Sequence, residues 1–191
     1  MSEFESVHER LRSATRAAHH ALDHHPLLQR LVKSDLTREA YAQSLQAIYA
    51  AHAELEARVL ESQWHRRSPL ELHARSELLR RDLDELGRRP IEPSVERFAR
   101  AQSESEWLGQ VYVLEGSRLG SVVIVGRVVG SLGEGAPRRF LAAVHDADAW
   151  PRILSCIEQR LDTPARVHSA FRAARAAFAA YESALDAPPG A

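Results

Sequence analysis

The chain of 191 residues carries 25 Lys and Arg against 26 Asp and Glu, which gives a formal net charge of −1. This length is typical of one domain that can bury its core without disulfides. The balanced charge argues against nucleic acid as a partner, because a protein that binds a polyanion carries an excess of basic residues.

Cysteine content and apolar runs narrow the class of protein further. Cys156 is the sole cysteine, which excludes an internal disulfide framework and a cysteine-rich metal site. The acidic start lacks the basic and apolar segments of a secretory signal, and no uncharged apolar run approaches the ~18 residues of a membrane span. These features predict a soluble, cytoplasmic protein that does not enter a membrane.

Apolar residues recur at helical spacing in the first third of the chain. The stripe of a first helix consists of Leu11, Thr15, Ala18 and Leu22. Pro26 predicts that this helix ends near His25, because proline lacks an amide donor and clashes with the preceding turn. Thr37 is a capping residue and predicts a second long helix, which runs to about Leu60.

Capping signals predict the next two helices. Residues 68–71, Ser-Pro-Leu-Glu, combine a capping box with proline at the first helical position, and they predict a helix that runs to Gly87. Ser103 and Glu106 form another capping pattern, which predicts a helix that runs to about Leu132.

The last two predicted helices begin at Pro151 and at Thr163–Pro164. No segment alternates strictly between apolar and polar residues, as a half-buried strand would. We therefore expect an all-α fold, a single-domain irregular helical bundle over residues 1–191. Residues 187–191 contain two prolines and are expected to form a disordered tail.

Five histidines occur along the first helix and at its end, and His19 lies at the edge of the apolar stripe. His20 is rotated away from it by ~100°. Asp23, one turn after His19, could accept a hydrogen bond from one imidazole nitrogen and leave the other for a metal. Arg12, two turns before His19, could meet an acidic group of a bound molecule. The alternatives are a buried histidine bonded to a carbonyl and a solvated helix face.

Gly116 and Gly120 lie on one face of a predicted helix interior, where each glycine costs up to ~1 kcal/mol relative to alanine. Either another helix crosses closely at this pair, or the bare backbone contacts a flat ligand. Gly126 and Gly130 repeat the spacing, which favours flexibility of the whole helix. A histidine that faces such a backbone could ligate heme on one side while the glycines cover the other. The sequence therefore predicts a heme site.

Several segments resemble one known family. Residues 11–19, Leu-Arg-Ser-Ala-Thr-Arg-Ala-Ala-His, are similar to the proximal helix of biliverdin-producing heme oxygenases. Residues 112–120, Tyr-Val-Leu-Glu-Gly-Ser-Arg-Leu-Gly, resemble the distal helix of that family and form the most specific segment. Residues 36–41 and parts of 71–87 are also similar. The resemblance covers most of the chain and points to the compact bacterial branch.

This resemblance implies roles for individual residues. His19 corresponds to the axial ligand of the iron, and Asp23 to the carboxylate that supports it. The distal segment over the heme corresponds to Gly116, Ser117 and Gly120. Further heme contacts are implied for Arg12, Tyr112, Ser121 and Phe178. The basic residue that holds the second propionate has no clear match, and the candidates are Arg152 and Arg160.

Two positions depart from the pattern of the family. Ser121 stands where many relatives have glycine or alanine, so it adds a hydroxyl and some bulk near the distal face. Ser117 stands where the animal enzymes carry an aspartate, so a proton relay must run through water, as in the bacterial relatives.

The implied activity is oxidative cleavage of heme to biliverdin with release of iron and carbon monoxide, heme being both cofactor and substrate. The chain has neither a nucleotide-binding glycine loop nor the cysteines of an iron–sulfur cluster. Electrons for the reaction with dioxygen are therefore expected from a ferredoxin or a flavoprotein reductase. A bilin photoreceptor could accept the product.

Other classes of protein stay open on the sequence alone. The nearest is a non-catalytic heme-binding or heme-carrier protein on the same scaffold. A thiaminase-like hydrolase would need Cys156 as nucleophile, although the position of this cysteine on an apolar helix face favours the core. A di-iron protein would need two Glu-x-x-His pairs, and only Glu5 and His8 have that spacing.

Overall fold

A computed structural model describes residues 5–93, 96–143 and 148–187. These ranges contain helices and loops but no strand, in agreement with the predicted all-α fold. The helices are α1 (Val7–Asp23), α2 (Pro26–Gln29), α3 (Arg38–Leu60), α4 (Gln63–Arg67), α5 (Ser76–Glu85), α6 (Glu104–Leu132), α7 (Ala149–Arg160) and α8 (Pro164–Asp186), with a 3-10 turn at Arg30–Val32. Except for Ala187, the predicted tail lies outside the described residues.

Side-chain caps determine where the long helices begin. Thr37 accepts a hydrogen bond from the amide of Ala40 at 3.2 Å, and Ser103 accepts one from Glu106 at 3.2 Å. The predicted starts of α3 and α6 are therefore confirmed. Thr163 caps α8 in the same way, with Pro164 at the first helical position.

The predicted start of α5 at residues 68–71 is wrong, because this helix begins only at Ser76. The Ser68 hydroxyl accepts a hydrogen bond from the amide of Leu70 at 3.1 Å, which closes a turn instead of a capping box. The amides of Arg75 and Ser76 donate to the carboxylate of Glu56 on α3, at 2.5 and 3.2 Å. A carboxylate from another helix therefore caps α5.

The core lies between α6 and the helices that surround it. Trp107 of α6 is fully buried, and its indole nitrogen donates to the carbonyl of Val59 on α3 at 3.0 Å. Gly109 faces α8 so closely that a Cβ atom there would lie 2.3 Å from the carbonyl oxygen of Ala170. Among the described helices, none has the length and apolarity to cross a membrane.

Candidate functional site

His19 presents an imidazole at the surface of α1. Its side chain is 61% exposed, and Nδ1 lies 2.8 Å from the Asp23 carboxylate. The alternative of a buried histidine bonded to a carbonyl is therefore wrong. Because a carboxylate accepts hydrogen bonds, it holds the proton on Nδ1 and leaves the lone pair on Nε2 for a metal. The ring of Phe178 on α8 lies edge-on to His19, with a centroid distance of 5.8 Å.

The Gly116 region of α6 carries an exposed apolar face. Gly116, Gly120 and Val123 lie within ~60° of one another around the helix axis. Val123 and the neighbouring Leu119 are 62% and 54% exposed. A Cβ atom at Gly120 would meet no described atom within 4 Å, so no helix crosses there. Close crossing therefore does not explain Gly120. The glycine of α6 at which another helix crosses closely is Gly109.

Tyr112 joins α6 to α1 one turn before Gly116. Its hydroxyl lies close to Thr15, which is one turn before His19. Burial raises the pKa of Tyr112, while Thr15 and the positive charge of Arg12 act in the opposite direction. Arg12 is exposed and forms no ion pair with any described residue. Its guanidinium is therefore available to an anionic group beside the Tyr112 hydroxyl.

Arg160 and Arg152, the two candidates for a contact with the second heme propionate, lie at different distances from the glycine face of α6. Arg160 lies 3.7 Å from Glu104, at the start of α6. Twelve residues of helix separate Glu104 from Gly116, which is about 18 Å along the axis. Arg160 is therefore poorly placed to reach a molecule that lies on Gly116. Arg152 is exposed in the first half of α7 and stays a candidate.

Trp150 is a site residue that sequence reasoning missed. Its indole ring lies 3.5 Å from the position that a Cβ atom on Gly116 would take. The same ring packs against Tyr112 and His8, with centroid distances of 5.6 and 6.3 Å. Trp150 thus connects α7 with α1 and α6 beside the glycine face. Only its place at the start of a helix was visible in the sequence, and that gives no hint of these neighbours.

Ser117 is exposed on α6 but hydrogen-bonded on both sides, whereas Ser121 is buried in the bundle. The Ser117 hydroxyl donates to the carbonyl of Leu114 at 2.6 Å and accepts a hydrogen bond from Arg75 at 3.1 Å. Ser121 is 3% exposed, and its hydroxyl lies 3.4 Å from the Ser117 carbonyl. Arg75 was not recognised in the sequence. Burial lowers its pKa to about 10, so it carries its charge at neutral pH.

Behind Arg75 lies a buried polar cluster that sequence reasoning also missed. The His52 ring nitrogens lie 3.2 Å from Glu56 and 3.3 Å from the Tyr181 hydroxyl. Burial lowers the pKa of His52 to about 4. Burial opposes ionisation of Glu56, but the close contact with His52 and the hydrogen bonds from Ser76 and Arg75 outweigh this and lower its pKa to about 2. The spacing of His52 and Glu56 is the one available sequence signal.

This cluster predicts that the protein loses stability in mild acid. Because the native pKa of His52 is below its ordinary value of 6.5, the unfolded chain binds a proton first as the pH falls. We expect the free energy of unfolding to fall by up to ~3 kcal/mol between pH 6.5 and 4 from this group. Glu56 adds a further loss below pH 4.5.

Urea unfolding across this pH range, measured on His52→Gln and wild type, checks the prediction. His52→Gln should show a shallower pH dependence than wild type, whatever its stability at pH 7. His20→Gln, which removes an exposed histidine, is the matched control and should follow wild type. Parallel pH profiles for wild type and His52→Gln would show that His52 does not control the transition.

Comparison with known proteins gives a consistent picture. The family model for heme oxygenase matches residues 5–187. A heme oxygenase from Xanthomonas campestris pv. campestris (strain 8004) is 32% identical over 173 residues, which is 84% of this chain and 98% of that protein.

Solved structures with a similar fold include two bacterial proteins. One is the NO- and CO-bound heme oxygenase from Neisseria meningitidis, with TM-score 0.71, 23% identity, and coverage of 94% of this chain and 90% of that one. The other is the heme oxygenase from Leptospira interrogans, with TM-score 0.75, 17% identity, and coverage of 94% and 98%. At these identities the structures support the fold.

Proposed function

The chain belongs to the heme oxygenase family and is a heme oxygenase, and we propose that it holds its substrate between His19 of α1 and the Gly116–Gly120 face of α6. The proposed products are biliverdin, iron and carbon monoxide. The observation that carries the site is the exposed His19 imidazole, whose Nδ1 is engaged by Asp23 at 2.8 Å. The family match favours this activity over a heme carrier.

The residues present fit heme. His19 offers Nε2 as a neutral nitrogen ligand, and Asp23 fixes the tautomer that ligation requires. On α6, the absence of a side chain at Gly120 lets a flat ring approach the backbone next to the apolar Val123, and the Trp150 ring borders this face at Gly116. Heme, when bound, supplies the iron that activates dioxygen and the porphyrin ring that is oxidised.

Ser117 and Arg75, on the proposed distal side, are hydrogen-bonded to each other and to the backbone, so we propose that they hold α6 in place and do not supply protons. Arg75 donates to Ser117, and Ser117 gives its own hydroxyl proton to the Leu114 carbonyl. Ser117 is therefore fixed in orientation, and its proton is already engaged. We propose that water carries protons to the distal side, since none of these groups is a free acid.

Arg12 and Tyr112 are proposed to bind a carboxylate of heme. The Arg12 guanidinium is free of ion pairs with described residues, and the half-buried Tyr112 hydroxyl lies beside it. A propionate would accept hydrogen bonds from the cationic Arg12 and from the neutral Tyr112 hydroxyl. These contacts would fix the rotation of the ring, which decides the carbon that is attacked. Phe178 and Trp150 would border the same pocket.

The reaction needs electrons from another protein. We propose a ferredoxin or a flavoprotein reductase as donor and a cytoplasmic location, where such donors occur. A bilin photoreceptor as acceptor of biliverdin is part of the same proposal.

A single-turnover experiment tests the proposed function. The purified protein is loaded with one equivalent of heme and supplied with a ferredoxin reducing system in air, while the visible spectrum is recorded. We expect loss of the Soret band, growth of a biliverdin absorbance and one equivalent of carbon monoxide. A Soret band that persists under these conditions would contradict the proposal and favour a carrier.

Asp23→Asn is expected to reduce heme affinity and turnover by about 10- to 100-fold, the usual range for a group that orients a metal-bound histidine. An asparagine amide can donate to Nδ1, which moves the imidazole proton to Nε2 and blocks the lone pair that the iron requires. Spectroscopic heme titration measures the affinity. Asp84→Asn, which neutralises an exposed carboxylate on α5, is the control and should match wild type. Equal heme affinities for Asp23→Asn and Asp84→Asn would show that Asp23 does not support heme binding.

A further inference from the structure

A cavity of about 490 Å³ lies where the loop 97–102 meets the first turns of α6 and the middle of α8. Its wall on α8 is formed by Arg172, Ala173, Ala176 and Ala177. The volume is within the ~300–1,000 Å³ range of small-molecule sites. None of the residues assigned above to the heme site lines this cavity.

The cavity and the heme site lie on different faces of α8. Phe171 lies under the Arg10 guanidinium of α1, and Phe178 packs against His19. Arg172 and Ala176 are rotated from Phe171 by about 100° and 140° around the helix axis. A molecule in the cavity would therefore be separated from heme by the body of α8.

Positive charge surrounds the cavity. Arg97, Arg100 and Arg172 line it, together with the single acidic residue Glu106. Arg172 pairs with Glu106 at 3.2 Å. No described residue forms an ion pair with Arg97 or Arg100. Glu96 pairs with Arg58 at 2.9 Å, and the charge of Arg100 acts on the same carboxylate from a greater distance. Two guanidinium groups at the cavity are thus outside any ion pair of the described residues, and guanidinium groups bind carboxylates through paired hydrogen bonds.

The inner wall is apolar apart from one amide. Phe98 and Ala177 are both 3% exposed. Gln110 is 5% exposed, and its amide nitrogen donates to the carbonyl of Ala99 at 2.7 Å. Its amide oxygen is buried and has no hydrogen-bond donor in the described part of the chain. A ligand hydroxyl or N–H group at this wall would satisfy an acceptor that the protein leaves unpaired.

We propose that this cavity binds a small organic carboxylate that carries a hydroxyl or N–H group on an apolar body. The carboxylate lies between Arg97, Arg100 and Arg172 at the rim. The apolar body lies against Phe98 and the alanines of α8. The donor group reaches Gln110. This site is independent of the heme site and of the oxygenase reaction.

Calorimetric titration with 4-hydroxybenzoate tests the proposal, because this probe combines a carboxylate, an aromatic ring and a hydroxyl. Both the heme-free and the heme-loaded protein are titrated. We expect one site with the same affinity in both forms, and weaker binding at higher salt. Benzoate, which lacks the hydroxyl, and inorganic phosphate, which lacks the apolar body, should each bind at least ~5-fold more weakly than the probe.

Variants locate the probe. Arg97→Gln/Arg172→Gln should weaken binding by ~10-fold or more, whereas Arg175→Gln, an exposed arginine of α8 outside the cavity, should change it less than ~2-fold. Ala176→Phe should also weaken binding, because the new ring fills the cavity. Thermal unfolding of each variant shows whether it folds.

Three results would overturn the proposal. The first is no binding of 4-hydroxybenzoate at millimolar concentration. The second is binding that is unchanged in Arg97→Gln/Arg172→Gln and in Ala176→Phe when both are folded. The third is binding that disappears when heme is added, because the probe would then occupy the heme site. The titrations with 4-hydroxybenzoate do not require heme cleavage. A failure of the proposed oxygenase activity can therefore be distinguished from a failure of the proposed carboxylate site.

Discussion

His19→Ala is expected to lower the rate of heme cleavage by at least ~100-fold. Loss of a residue that only orients a metal-bound histidine usually costs about 10- to 100-fold, and loss of the ligand itself should cost more. The adjacent His20 does not replace it, because His20 is rotated by ~100° around the helix axis and stacks on His24 with a centroid distance of 3.9 Å. The measurement is the initial rate of biliverdin formation with a saturating reductant.

His20→Ala is the matched control for this experiment. It removes an imidazole from the adjacent position of the same helix, and His20 is also exposed. Heme cleavage by His20→Ala should stay within about 2-fold of wild type. If His19→Ala keeps its rate, or if His20→Ala loses it, the ligand is not His19.

Gly109→Ala is expected to destabilise the fold by about 2 kcal/mol or more, near the upper part of the ~1–3 kcal/mol range for overpacked cores. The added methyl group would lie 2.3 Å from the Ala170 carbonyl oxygen and 3.1 Å from the Ala173 side chain. Because the nearest atom belongs to the backbone, α6 and α8 must move apart to admit it. Urea unfolding monitored by circular dichroism measures the change.

Gly126→Ala is the control for this substitution, because a Cβ atom there meets no described atom within 4 Å. It should stabilise the protein by up to ~1 kcal/mol, the ordinary gain for alanine over glycine in a helix. Opposite signs for the two variants are the expected result. A stabilised Gly109→Ala would contradict the close packing of α6 on α8.

Local signals were enough to predict most of the helices. Thr37 and Ser103 cap the helices that directly follow them, so their effect depends on neighbours in the sequence. Residues 68–71 carry an equally good local signal but do not start a helix. There the Glu56 carboxylate binds the amides of Arg75 and Ser76 and sets the start of α5. That contact depends on the packing of α3, which a local pattern does not encode.

In the candidate site, too, contacts within one helix could be predicted from the sequence, whereas contacts between helices could not. The contact between His19 and Asp23 could be predicted because both lie on one helix, one turn apart. Gly109 and Gly116 look alike in the sequence, as glycines inside one helix. Only their neighbours distinguish them: Gly109 packs tightly against the Ala170 backbone, whereas Gly116 lies at ordinary contact distance from the Trp150 ring. Trp150 comes from a different helix and could be recognised only in the fold.

The resonance Raman spectrum of the ferrous heme complex tests the central claim most directly, because it detects the bond between iron and its histidine ligand. The protein is prepared with natural histidine and with ¹⁵N-labelled histidine. We predict an iron–histidine stretching band that shifts on labelling in wild type and in His20→Ala, and that is absent in His19→Ala. A labelled band that persists in His19→Ala would show that another histidine binds the iron, and would contradict the placement of heme between α1 and α6.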